Sequence, residues 1–216
     1  MQRLLGQAGI SSKWFNMEHI DYCKGAIVFR QAQPCEYVYQ VIAGAVRAQK
    51  LLPDGRRQIA GFHLVGDIFG LETVATHRFE AVAIVQTTLR LMSRRALDDR
   101  VVSEPTAFRA LLGVITKSLI HAENHMLLLG CQDSDERVAT FLMEMHSRST
   151  SGRVTHLPMS RRDIADYLGL TLETVSRAMA KFRRDGLLKF VDAQRRAVIL
   201  DRQALAAMAD EARLAS

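Results

Sequence analysis

The chain has 216 residues, of which 48% are hydrophobic, and carries 29 Lys and Arg against 23 Asp and Glu. That length holds one large domain or two small ones with a sizeable core, while no apolar run reaches the roughly 18 residues a membrane span requires. The net charge of +6 makes a polyanionic partner plausible. The N-terminal "MQRLLGQAGISSKWF" lacks the apolar stretch of a signal peptide, so the expectation is a cytoplasmic protein with no membrane partner. Cys23, Cys35 and Cys131 form no C-x-x-C pair, which argues against a disulfide framework or a zinc knuckle. Trp14 is read as a packing anchor.

Between about residues 20 and 95 the chain reads as β. "AIVF" (26–29), "YVYQVI" (37–42) and "TTLRLM" (87–92) are rich in β-branched and aromatic residues, with glycines between them. "PDG" (53–55), between "VRAQKLL" and "RRQIAGF", signals a hairpin, since Asp-Gly suits turns with positive φ. Many short strands with regular turn signals predict a jelly roll or similar barrel over 1–104.

After Pro105 the period changes. Phe108, Leu112, Ile115, Leu119, Ala122, Met126 and Leu129 recur in alternating steps of four and three, a heptad seam on a helix over 105–131. Leu111, Val114 and Leu128 form a second apolar edge. One reading buries a single helix against the barrel. The other packs one stripe on the barrel and the seam against a twin helix, which makes a homodimer. Gly130 is read as closing the helix, and "DSDERVATFLMEMHSRS" as opening another capped by Asp133 or Ser134.

"TSGRVTHLP" (150–158) is a loop with strand character. In "SRRDIADYLGLTLETVSRAMAKF" (160–182), Ser160 and Asp163 form an S-x-x-D cap, Gly169 breaks the first helix, and Thr171 caps the second. Val175, Met179 and Phe182 fall on one face of the second helix; Leu172, Glu173, Ser176, Arg177 and Ala180 fall on the other. This is a helix-turn-helix pattern. "GLLKFVDAQRRAVIL" (186–200) then adds two strands around a basic tip at Arg195 and Arg196, so 132–216 is expected to be a winged helix. Glu173 and Arg177 could form an ordinary i,i+4 ion pair. They could instead read base edges, Glu accepting from cytosine N4 and Arg donating to guanine O6 and N7. From 160 to 196 there are nine basic and five acidic residues, an excess of four positive charges, which favours base reading. Ser160, Arg161, Thr171, Thr174, Arg195 and Arg196 are the candidate phosphate contacts.

These motifs resemble the CRP/FNR family of bacterial transcription regulators. "YLGLTLETVSR" is similar to the recognition element of the FNR and FixK-like branches, "VIAGAVR" (41–47) and "GDIFGLE" (66–72) to turns of the family's sensor domain, and the heptad helix to its dimerisation helix. The resemblance implies an α+β protein with an N-terminal jelly roll of cyclic-nucleotide-binding type, a long dimerisation helix and a C-terminal winged helix-turn-helix. It implies a homodimeric regulator, not an enzyme, that activates transcription with RNA polymerase in low-oxygen or nitrogen-metabolism control. It further implies that Glu173, Ser176 and Arg177, with Leu172 beside them, read a TTGAT-N4-ATCAA-like palindrome in double-stranded DNA. The alternative is a member of the family gated by haem or another small molecule.

Departures from the family pattern bear on the signal. The cyclic-nucleotide branch holds ribose with G-E and phosphate with an Arg-Ser/Thr pair. Here these are Gly66-Asp67 and Arg78 followed by Phe79 and Glu80, which argues against a cyclic nucleotide. Cys23 and Cys35 do not supply an iron–sulfur cluster, so no cofactor and no metal is expected. His121 and His125 stand at metal-binding spacing, with packing between helix and barrel as their expected use. His63 and His77 are isolated in the sequence and do not suggest a cupin-type metal barrel. Cys131 and Cys35 are the candidate redox positions, weighed against a structural role.

Overall fold

A computed structural model describes residues 19–72, 74–131, 133–148, 154–191 and 196–214. Trp14 and Arg195 lie outside the described residues, as do the side chains of Cys131 and Arg196. The chain forms two compact units, Met1–Ala122 and Glu123–Ser216, with the division falling inside one long helix.

In the first unit eight strands run β1 (His19–Tyr22), β2 (Ile27–Phe29), β3 (Tyr37–Ala43), β4 (Val46–Leu51), β5 (Arg57–His63), β6 (Ile68–Phe69), β7 (Glu80–Ala83) and β8 (Thr87–Ser93). They form two four-stranded sheets, ordered β1-β8-β3-β6 and β2-β7-β4-β5, with antiparallel pairing throughout. This is the expected jelly roll. Its core is Phe29, Tyr39, Val41, Val46, Phe69, Ala81 and Leu89. The "PDG" turn joins β4 and β5, with Gly55 at φ 81° and the Asp54 carboxylate accepting from the Arg56 amide at 3.0 Å.

The opposite end of the sandwich is closed at Gly44, which adopts φ +84° beside β8. Thr87, fully buried, receives the Ala45 amide, and its one hydroxyl proton has the Val85 carbonyl at 2.9 Å and the Ala45 carbonyl at 3.1 Å as acceptors. A polar side chain is tolerated there because its hydroxyl is fully used.

Helix α1 (Arg94–Ser103) follows β8 and was not expected; Ser93 caps it by accepting from the Ala96 amide. Helix α2 (Pro105–Cys131) runs through Gly130 and ends one residue later, so Gly130 does not close it. Within the first unit, Ala107 and Ala110 are buried and Leu111 and Val114 half-buried, while Phe108, Leu112, Ile115 and Leu119 stand 43–57% exposed. Ala122 is exposed as well, and so is Met126 in the second unit. Leu129 departs from that stripe. It is half-buried, and its Cδ2 would lie 3.7 Å from a Cβ at Gly169, so its side chain serves the helix-turn-helix joint.

The second unit continues with α3 (Ser134–Ser147), β9 (Val154–His156), α4 (Arg161–Leu168), α5 (Leu172–Arg184), β10 (Leu188–Val191), β11 (Arg196–Ile199) and α6 (Arg202–Leu214). Asp133 caps α3 in a capping box with Glu136. The three strands pair in the order β10-β11-β9 and form the wing. Helix α6, also unexpected, packs on α3 with Leu205 fully buried. His125, expected to pack between helix and barrel, stacks on Tyr167 of α4, ring centroids 4.1 Å apart.

His146 on α3 meets the Thr155 hydroxyl at 3.0 Å. Burial, and secondarily the Arg202 cation, hold its imidazole below the usual range. The fold therefore prefers neutral His146. The resulting stability is present above the unfolded pKa of about 6.5 and is lost as pH falls below it. Urea unfolding of the second unit is expected at lower denaturant at pH 5.5 than at pH 7.5, with a smaller difference in His146→Gln. An equal pH dependence in that variant would assign the effect to other groups.

Candidate nucleic-acid interface

Local chemistry sets the geometry of α4 and α5. Ser160 and Asp163 cap α4 reciprocally. The Asp163 amide donates to Ser160 Oγ at 3.1 Å, and the Ser160 amide donates to Asp163 Oδ2 at 3.0 Å. The Ser160 hydroxyl proton also goes to Asp163, at 2.7 Å, so Ser160 has one lone pair, not a proton, to spare. Gly169 ends α4 in the left-handed region at φ 63°, where a side chain would be strained. Thr171 then caps α5 by accepting from the Thr174 amide at 3.1 Å.

The inner faces of both helices are fully used. Ile164, Ala165, Tyr167 and Leu168 of α4 pack with Val175, Ala178, Met179 and Phe182 of α5, each 2% exposed or less. At roughly 1.5–3 kcal/mol for each large buried side chain, this packing holds the orientation of α5. Arg137 on α3 locks the joint by donating to the Leu168 carbonyl at 3.2 Å and the Leu129 carbonyl at 3.0 Å. Sequence reasoning missed Arg137, whose two carbonyl partners lie 31 and 8 residues away.

The outer face of α5 carries the residues singled out from the sequence. Glu173 and Arg177 are exposed, Leu172, Thr174 and Ser176 half-exposed, and Thr171 exposed at the helix start. Among the described residues Glu173 and Arg177 form no ion pair, so both charged ends project into solvent one turn apart. Lys181, next along this side, is tied to Asp135 at 2.6 Å. Arg161 lies over the Phe190 ring of β10 at 5.7 Å. Its Nε is buried without a partner among the described residues, and burial, then the Arg183 cation, disfavours its charge. A guanidinium at the N-terminus of α4 suits an anion.

In the first unit, Asp67 accepts the Leu64 amide at 2.7 Å, a turn contact, and Glu80 accepts from Gln49 Nε2 at 2.8 Å on the sheet. His77 is not isolated, as its sequence position suggested. It is buried, stacked on Phe29, and lies 3.4 Å from Cys35 Sγ and 3.3 Å from Glu72 Oε2. These three side chains are the group among the described residues able to hold a metal ion.

A jelly roll followed by a long helix and a winged helix-turn-helix defines a class of DNA-binding regulators. A family model described as the Crp-like helix-turn-helix domain matches residues 136–208, and one described as the cyclic nucleotide-binding domain matches 19–103. The nitrogen fixation regulation protein FixK of Rhizobium meliloti (strain 1021) is 43% identical over 173 residues, covering 80% of this chain and 79% of its own. The transcriptional activator protein FnrA of Stutzerimonas stutzeri is 35% identical over 192 residues, covering 86% and 78% respectively. The structure of FixK2 from Bradyrhizobium japonicum superimposes with a TM-score of 0.85 at 49% identity, covering 88% of this chain and 96% of that one. The chain belongs to the CRP/FNR family of transcription regulators, in its FixK-like branch. Regulators of this family bind DNA through the helix-turn-helix and act as dimers. No helix among the described residues is long and apolar enough to cross a membrane.

Proposed function

We propose that the chain is a homodimeric transcription activator that reads a TTGAT-N4-ATCAA-like palindrome and works with RNA polymerase in low-oxygen or nitrogen-metabolism control. The observation that carries the DNA reading is the outer face of α5. Glu173 and Arg177 are exposed and unpaired with each other, on a helix whose opposite face is locked into the core. Arg177 reads guanine, Glu173 accepts from cytosine N4, Ser176 adds a hydroxyl, and Leu172 contributes an apolar edge. Arg161, Ser160, Thr171, Thr174, Arg195 and Arg196 hold the phosphates. Because the Ser160 hydroxyl proton is committed to Asp163, a phosphate contact at Ser160 requires that proton to turn outward.

Phe108, Leu112, Ile115, Leu119, Ala122 and Met126 form the dimer seam, since a stripe of large apolar side chains left half-exposed along a helix is costly in a monomer. The biological setting is supported by the relatives' names, nitrogen fixation regulation for one and transcriptional activation for another.

The test is titration of the pure protein, with no ligand added, against the palindrome and against a duplex with scrambled arms at one salt concentration. The palindrome is expected to bind at least about 10³-fold more tightly. Equal binding would remove sequence-specific recognition by the unliganded protein.

A further inference from the structure

The first unit contains a site that DNA binding does not use. The stretch Ala32–Cys35 is zipped to Ala75–His77 by backbone hydrogen bonds. The Ala32 amide donates to the His77 carbonyl at 2.8 Å, the His77 amide to the Gln33 carbonyl at 2.9 Å, and the Cys35 amide to the Ala75 carbonyl at 3.1 Å. Ala32 takes φ +66° to make the turn, a conformation uncommon for a residue with a side chain. The zipper brings together side chains 42 residues apart in sequence.

Three ligand-type atoms converge there. His77 Nδ1 lies 3.4 Å from Cys35 Sγ and 3.3 Å from Glu72 Oε2, and all three atoms lie within 4.8 Å of one another. The His77 ring is fixed by stacking on Phe29, with centroids 3.6 Å apart and planes within 10°. A single ring nitrogen thus faces a thiol and a carboxylate at once. With a lone pair on Nδ1 the thiol donates to it but the carboxylate is repelled; with a proton there, Nδ1 donates to Glu72 over a long 3.3 Å. A cation at the centre satisfies all three. The two separations from Nδ1 match it: bond lengths of about 2.3 Å to sulfur and 2.0–2.2 Å to nitrogen and oxygen give tetrahedral edges of about 3.5 Å (S–N) and 3.4 Å (N–O), and the sulfur and the carboxylate lie within 4.8 Å of each other.

We propose that Cys35, Glu72 and His77 form a Zn²⁺ site, one thiolate, one imidazole and one carboxylate, with solvent as the fourth ligand. Cys35 and Glu72 are partly exposed and His77 is buried, so the open position faces outward. The thiolate and imidazole favour zinc over the oxygen-preferring Mg²⁺ and Ca²⁺. Binding displaces the Cys35 thiol proton to the buffer. Without the metal, burial and the neighbouring Glu72 carboxylate keep that thiol protonated, against a smaller pull from Arg94. With the metal, the ion clamps the two halves of the zipper and leaves an exchangeable coordination position.

The experiment titrates reduced, metal-stripped, full-length protein with Co²⁺ as a spectroscopic probe, then with Zn²⁺ against a chromophoric chelator. Wild type should develop a thiolate-to-cobalt charge-transfer band that Zn²⁺ abolishes, at one metal per protomer. Cys35→Ser should lose the band. Glu72→Gln, which preserves size and shape, should keep the band but weaken Zn²⁺ binding by more than the roughly 10–100-fold typical of losing an outer partner. A Cys23→Ser/Cys131→Ser double variant should behave as wild type. Absence of the band in wild type, its loss with Cys23 or Cys131, or unchanged Zn²⁺ affinity in both Cys35→Ser and Glu72→Gln would overturn the site. X-ray absorption of the wild-type Zn²⁺ protein, which needs no variant, should show a single sulfur ligand; none or several overturns it equally.

Discussion

The double substitution Leu112→Asp/Leu119→Asp is expected to convert the dimer to a monomer. Both side chains are more than half exposed on the isolated chain, at 51% and 57%, so the fold tolerates the change. Brought against a twin helix, four carboxylates per dimer would be buried in an apolar seam, at several kcal/mol for each unpaired charge. Losing the dimer also loses simultaneous use of two half-sites, so affinity for the palindrome should fall toward non-specific binding, by about 10³-fold or more. Sedimentation equilibrium reads the first effect and DNA titration the second. A persisting dimer would place the interface elsewhere on the surface.

Gly44→Ala should be the most damaging single change in the first unit. At φ +84° a Cβ is strained, and here it would also sit 2.7 Å from the Thr87 Cα and nearer still to the Gln86 carbonyl oxygen. Backbone atoms cannot turn away as a side chain would. Strain of roughly 1–3 kcal/mol plus a similar overpacking cost gives about 2–6 kcal/mol, against a typical total stability of about 5–15 kcal/mol. Gly61→Ala is the matched control, since a Cβ there meets nothing within 4 Å and the backbone is not in the left-handed region. Thermal unfolding should show a large drop for the first and a small change for the second. Similar shifts would mean the Gly44 turn can relax.

What the sequence reveals depends on how local the cause is. The hairpin at Asp54-Gly55, the cap at Ser160, the break at Gly169 and the cap at Thr171 each rest on residues within three or four positions of the backbone they shape. They are legible, and with them most of the helix-turn-helix. Helices α1 and α6 are less so, because α1 buries one residue, Leu97, and α6 contributes its main anchor, Leu205, to a partner helix far upstream. Gly130 reads as a stop but sits inside α2, where Arg137 takes the Leu129 carbonyl close to the helix end. His125 finds Tyr167, and His77 finds Cys35, only through pairing across 42 residues in each case. No local pattern reports such meetings.

The central claim is that α5 presents Glu173 and Arg177 to a base pair and not to each other. The most direct measurement is binding of wild type, Glu173→Ala and Arg177→Ala to a set of half-site variants at fixed salt. Arg177→Ala should lose roughly 1–3 kcal/mol of discrimination at the G·C pair of each half-site. Glu173→Ala should relax the choice of base at that position while leaving non-specific binding largely intact, because phosphate contacts carry no base information. If Glu173→Ala and Arg177→Ala both keep the wild-type preference at the G·C pair, these side chains do not read DNA and the account of the interface is wrong.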